Sequence, residues 1–233
     1  MKVRQLAAAA GFLLASSLAF ANVQYTFYAS GVTESYSQQG TALFSFANDG
    51  SSLSITLNDT VVPTIAVLSS ITGLQFGLSS APTGMTLTSV TATQVVDCTN
   101  SPNPCPPGSG SSPYGWGATQ SGGGISLGAG FDGSGFAYQP YGIVNASYSS
   151  PGGPGGLGDP ASNPLLVGPV TFNFALTGLR YAPEVNSVVF EFGDPTGVTG
   201  DGPTSVPEPQ SLALLAVGLI AAGWMSQRRQ ARA

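Results

Sequence analysis

The side chains able to do chemistry in this chain are few, and their types exclude most reactions. There is no histidine among the 233 residues, the single lysine is Lys2, and the cysteines are Cys98 and Cys105. A serine or cysteine nucleophile needs a neighbouring base, and zinc centres draw chiefly on histidine and cysteine. Triad hydrolysis and a histidine-ligated zinc site therefore lack their raw material. Carboxylates remain. Two acids about 5 to 9.5 Å apart in a cleft suffice for glycoside hydrolysis. Glu34, Glu184, Glu191, Asp194 and Asp201 are available, yet no spacing singles out two of them. The expectation is a protein that is not an enzyme and uses no cofactor.

Calcium takes oxygen ligands from Asp, Glu and loop carbonyls, and Asp194-Pro-Thr-Gly-Val-Thr-Gly-Asp201 offers them best. It lacks EF-hand spacing, and aspartate in Gly-rich turns has a conformational use of its own, so no metal site is assigned. Asn58-Asp-Thr60 and Asn145-Ala-Ser147 fit the N-glycosylation pattern, which three residues meet often by chance, and neither is taken as a site. Tyr114-Gly-Trp116 suggests either an exposed sugar-stacking platform or aromatic anchors that pin a Gly-rich loop to a sheet. Anchoring is the expected role.

The elements that would position these residues are strands. Tyr25–Tyr28, Ala42–Phe46, Leu53–Leu57, Leu74–Leu78, Met85–Val90, Val170–Leu176 and Val188–Phe192 alternate apolar with polar residues at period two, which marks half-buried antiparallel strands. Asn48-Asp-Gly-Ser51 predicts a hairpin between two of them. No stretch of a dozen residues in the body reads as an amphipathic helix. Many short strands with frequent turns predict an all-β fold, an antiparallel β-sandwich of jelly-roll-like type with long Gly/Pro-rich loops. Its inner faces are predicted to hold Phe44, Phe46, Ile55, Leu57, Leu74, Phe76, Phe172, Phe174, Phe190 and Phe192. Residues 101–165 contain 17 Gly and 10 Pro. Alternation persists over Gly124–Phe131 and Tyr138–Tyr148, so short strands joined by long loops are expected there, with Ser149–Pro164 as a mobile surface loop.

Both ends read as handling signals. Lys2 and Arg4, an apolar core from Leu6 to Leu18 and the small-x-small site Ala19-Phe20-Ala21 form a signal peptide over residues 1–21, with cleavage before Asn22. At the other end, Val206-Pro207-Glu208-Pro209 precedes an apolar run, Ser211–Met225, and the basic residues Arg228, Arg229 and Arg232. Fifteen residues of helix span about 22 Å, short of a hydrocarbon core of about 30 Å, which suits a temporary stop in the inner membrane. This order of parts resembles the PEP-CTERM sorting signal of bacterial surface proteins. The resemblance implies that an exosortase, a membrane peptidase, recognises Pro207-Glu208-Pro209 and cuts near it. It also implies release to the cell surface or extracellular matrix of a Gram-negative bacterium that makes polysaccharide. Ile71-Thr-Gly-Leu-Gln-Phe76 and Val189-Phe-Glu-Phe-Gly193 are similar to strand motifs of small proteins of that kind.

Removal of both ends leaves residues 22–205, one domain with Arg180 as its only basic residue against ten acids, a charge of about −9. Nucleic acid is excluded as a partner, because it requires a cationic face. Extracellular polysaccharide is the possible ligand if the body is a carbohydrate-binding module, and a tail-anchored periplasmic protein is the alternative if the C-terminal segment is not processed. Export takes Cys98 and Cys105 into an oxidising compartment, where they are expected to pair. Closing an eight-residue loop contributes about 2.5 kcal/mol in the chain-entropy model, less what Pro102 and Pro104 already restrict.

Overall fold

Each of the seven period-two stretches from Tyr25–Tyr28 to Val188–Phe192 lies within a strand, whereas Tyr138–Tyr148 contributes only Ile143–Val144 among its described residues. The computed structural model describes residues 22–33, 36–99, 105, 107–130, 140–148, 157, 163–193, 196–199 and 201–204. The signal peptide with Ala19 and Ala21 falls outside them, as does the sorting segment with Val206, Pro207, Glu208, Pro209, Arg228, Arg229 and Arg232. From Val23 the described residues belong to one compact unit, Val23–Val206. It is nearly all β. The strands are β1 (Val23–Thr33), β2 (Tyr36–Phe46), β3 (Ser52–Asp59), β4 (Ile71–Leu78), β5 (Gly84–Thr91), β6 (Gln94–Val96) and β7 (Gly117–Ser121). They continue with β8 (Gly124–Gly128), β9 (Ile143–Val144), β10 (Leu165–Val167), β11 (Val170–Thr177), β12 (Val185–Phe192), β13 (Thr196–Thr199) and β14 (Asp201–Thr204). Among the described residues the only helical element is a single 3-10 turn, Val67–Ser69.

One sheet has the order β14-β1-β2-β3-β11-β5 and is antiparallel throughout. The other runs β13-β12-β4-β9-β10-β6, with β8 also paired to β4 and β7 paired to β8. Its pairs are antiparallel, as expected, except for the short pair β9 and β10, which run parallel. A parallel pair needs a crossover of a dozen or more residues, and the chain between Val144 and Leu165 supplies it.

The predicted hairpin joins β2 to β3. Asp49 Oδ1 accepts from the Ser51 amide at 2.9 Å, and the Gly50 amide donates to the Ala47 carbonyl at 2.9 Å. Gly50 has φ +70, and a Cβ there would lie 2.7 Å from the Tyr181 carbonyl, so the turn is closed to larger residues.

The inward phases of β1–β5, β8, β11 and β12 feed one large apolar cluster. All ten residues predicted for it are buried, none more than 3% exposed. Both sheets contribute. Phe44 of β2 meets Phe76 of β4 edge to face at 5.0 Å, and Gly40 of β2 leaves room where a Cβ would lie 2.9 Å from Ile71 Cδ1. A smaller cluster gathers Val96, Cys98, Cys105, Val144, Leu157, Leu165 and Val167. Leu157 lies within the stretch expected to be a mobile surface loop, yet it is fully buried in this cluster, so at that point the loop is anchored.

Candidate functional site

Trp116 follows a turn in which Tyr114 and Gly115 have φ of 54 and 64. Its ring is 2% exposed and lies 4.7 Å from Phe172, while Nε1 donates to the Tyr141 carbonyl at 3.0 Å. Tyr141 in turn has φ 77, a conformation that costs a non-glycine residue about 1–3 kcal/mol and needs firm neighbours. The Tyr141 amide donates to the Pro164 carbonyl at 2.6 Å, and its ring packs 6.0 Å from Tyr114. Trp116 is an anchor, and its burial overturns a stacking platform built on it. Tyr138, at the start of the alternating stretch Tyr138–Tyr148, lies outside the described residues.

Of the carboxylates considered for acid–base work, the two with described side chains, Glu184 and Glu191, do not converge. Glu184 is exposed just before β12 and Glu191 lies within that strand, seven residues on. At about 3.3 Å per residue an extended chain sets them about 23 Å apart, too far for a glycosidase pair. Glu191 Oε1 instead accepts from Gln75 Nε2 at 2.6 Å. Glu34, Asp194 and the side chain of Asp201 fall outside the described residues. Around them, Thr196–Thr199 and Asp201–Thr204 run as strands.

Sequence reasoning missed one polar centre. Leu53, Ile55 and Leu57 face the core, and the same phase delivers Asp59 to a fully buried position at the end of β3. Asp59 Oδ1 accepts from the Val61 amide at 2.9 Å. Oδ2 accepts from the Thr64 hydroxyl at 2.6 Å and from the Asn145 amide at 3.2 Å. Asn145 Nδ2 donates to the Asp59 carbonyl at 2.8 Å, and its amide also reaches Thr64 Oγ1 at 3.0 Å. Burial pushes the carboxyl up to about 7, although the bonds from Thr64, Val61 and Asn145 pull the other way. Two proton states fit the same atoms. Ionised, Asp59 accepts from Thr64; protonated, its Oδ2–H donates to Thr64 Oγ1, whose own hydrogen turns to the Val61 carbonyl 3.3 Å away. The centre ties the 61–64 loop to the segment after β9. It also occupies the amide of Asn145, one of the two asparagines that matched the glycosylation pattern.

Cys98 and Cys105 are bonded to each other, and both are buried. The Cys98 amide donates to Asn163 Oδ1 at 2.7 Å, and Asn163 Nδ2 donates to the Leu157 carbonyl at 2.7 Å, so the closed loop is stitched to the far side of the 149–164 stretch. Denatured, unreduced protein recovered after export should titrate no free thiol; two thiols per chain would overturn the pairing.

The two body motifs are neighbours in one sheet, where Val189 pairs with Gln75 and Phe190 with Leu74. The decisive likeness is at the C-terminal end, where a family profile, the PEP-CTERM protein-sorting motif, matches residues 205–229. The chain carries a PEP-CTERM sorting motif. The match takes in Val206, Pro207, Glu208, Pro209, Arg228 and Arg229 and ends before Arg232. A PEP-CTERM motif implies export, transient anchoring in a membrane and an exosortase as processing partner. No curated protein and no solved structure matches the chain.

Proposed function

We propose that this protein is a non-catalytic component of the cell surface or extracellular matrix, delivered there as an exosortase substrate. Cleavage near Pro207-Glu208-Pro209 frees a body spanning about residues 22–205. The observation that carries this reading is the PEP-CTERM match at residues 205–229. It is supported by the signal-peptide pattern at the other end and by the poverty of catalytic side chains between them. For the body we propose a jelly-roll-like β-sandwich. Two sheets that contribute to one apolar cluster, and cross-sheet contacts such as Phe44 with Phe76, support that architecture.

Intact mass of the protein recovered from its host's surface or medium tests the proposal. The expected mass lacks residues 1–21 and a C-terminal piece beginning near Val206, with any excess reporting an attached group. A chain retained through Ala233 in the membrane fraction would instead establish a tail-anchored periplasmic protein and remove the matrix role.

A further inference from the structure

The outward phase of the second sheet is made of glycines and mostly small polar residues where β12, β4, β8 and β7 lie side by side. Register places Val189, Gln75, Ser126 and Thr119 in one row across the four strands, and Ser187, Gly77, Gly124 and Ser121 in the next. These positions alternate with Leu74, Phe76, Ile125 and Leu127, which point into the core. A third row holds Glu191 followed by Gly73, Gly128 and Gly117. With Gly77 and Gly124 directly paired, the sheet has a floor of exposed peptide backbone. The first two rows enclose a half-open cleft of about 420 Å³, within the size range of ligand sites.

We infer that this cleft binds a neutral, hydroxyl-rich chain of the uncharged oligosaccharide class, laid across β12, β4, β8 and β7. The chemistry of the rim selects the ligand. Ser121, Ser126, Ser187 and Thr119 each both donate and accept, as sugar hydroxyls do, and Gln75 adds an amide. Val189 is the one apolar side chain among the outward positions of the two rows; Phe76 and Ile125 also line the cleft but are buried, so hydroxyl and amide groups make up most of the side chains a ligand would meet. No charged residue lines it. The nearest carboxylate on the face, Glu191, is tied to Gln75, and a body with one arginine against ten acids repels polyanions. No aromatic ring stands exposed on the floor, since Phe76 beneath it is buried, so affinity rests on hydrogen bonds and shape, and millimolar binding is expected. The inference rests on the proposed surface role only for where the ligand is met; the cleft belongs to the body of the chain whatever becomes of its terminus.

The test uses the full-length chain, isotopically labelled and held in a detergent without a sugar headgroup, so that it does not depend on sorting. Amide resonances are followed while a neutral glucan oligosaccharide is added, and separately a polyuronate of equal length. Saturable shifts confined to β4, β7, β8 and β12 are expected with the glucan alone. Gly124 has no positive φ, and a Cβ there would meet nothing closer than the Ser121 carbonyl at 3.5 Å. Gly124→Val should therefore fold, fill the floor and weaken binding by about tenfold or more. Ser187→Ala, which removes a hydroxyl without adding bulk, should weaken it less. Absence of saturable shifts with the glucan, equal shifts with the polyuronate, or unchanged binding by a folded Gly124→Val protein would each overturn the inference.

Discussion

Replacing Phe44 by alanine should lower the unfolding free energy by about 3–5 kcal/mol, the cost of deleting a large side chain from a core that cannot collapse around the gap. Phe44 is 0% exposed. Its ring meets Phe27 of the neighbouring strand at 5.6 Å and Phe76 of the other sheet at 5.0 Å, both edge to face. Removal loses packing within the first sheet and between the two sheets at once. Against a typical total of about 5–15 kcal/mol, the loss takes a large share of all stability. Phe44→Leu retains most of the volume and should cost about 1.5 kcal/mol or less. Guanidinium unfolding of both variants measures the difference. A Phe44→Ala protein within 1 kcal/mol of the parent would mean that the two sheets do not depend on this contact.

Stability should also fall as pH rises from about 4 to about 7, by up to about 4 kcal/mol, because of Asp59. In the unfolded chain its carboxyl releases its proton near the ordinary value of about 3.9; folded, it holds the proton up to about 7. Across that window the folded state binds more protons than the unfolded one. The stabilisation is complete below the unfolded pKa and is lost by the time pH passes the folded one. Asp49 and Asp97 act in the opposite sense. Hydrogen bonds from Ser51 and Thr99 hold their carboxyls below the usual range, and their contribution is lost only as pH falls below about 4. Asp59→Asn keeps the acceptor for Val61 and donates to Thr64 as the protonated acid does, while the Asn145 amide retains Thr64 Oγ1. The slope between pH 4 and 7 should vanish in that variant. A slope that survives would assign the titration to another group.

How much of this was legible in the sequence depended on whether one face of a strand meets water. In β3 and β11, Leu53-Ser-Ile-Thr-Leu and Val170-Thr-Phe-Asn-Phe alternate because one face is buried and the other is not, and both strands and their core residues were readable. Leu165, Leu166 and Val167 of β10 are all buried, so period two disappears and no pattern marks the strand. Gly117-Ala-Thr-Gln-Ser of β7 has too little apolar content to stand out, and its identity comes from pairing with β8. Asp59 carried a faint signal, an acid in phase with three inward aliphatic residues. Its partner Asn145 is 86 positions away, and nothing local links the two. The glycine floor was hidden in another way. Gly77 and Gly124 sat in stretches readable as strands, but only register pairs them directly and shows that they lie side by side on one face.

The order of strands in the first sheet has a temporal meaning for a chain that crosses a membrane N-terminus first. β1, β2 and β3 are consecutive and can pair as soon as they emerge. The other edge of β3, however, waits for β11, whose Val170 pairs with Leu57. Similarly, β4 waits for β12 and β1 for β14. Until residue 170 appears, an interior sheet edge lies open and the phenylalanines of β2 lack much of their cover, which is the state most prone to stick to other chains. The closing strands then arrive together between Val170 and Thr204, immediately ahead of the stretch matched by the sorting motif. Tethering at that point would hold each molecule apart from its copies during the interval in which it completes itself, and release would follow closure.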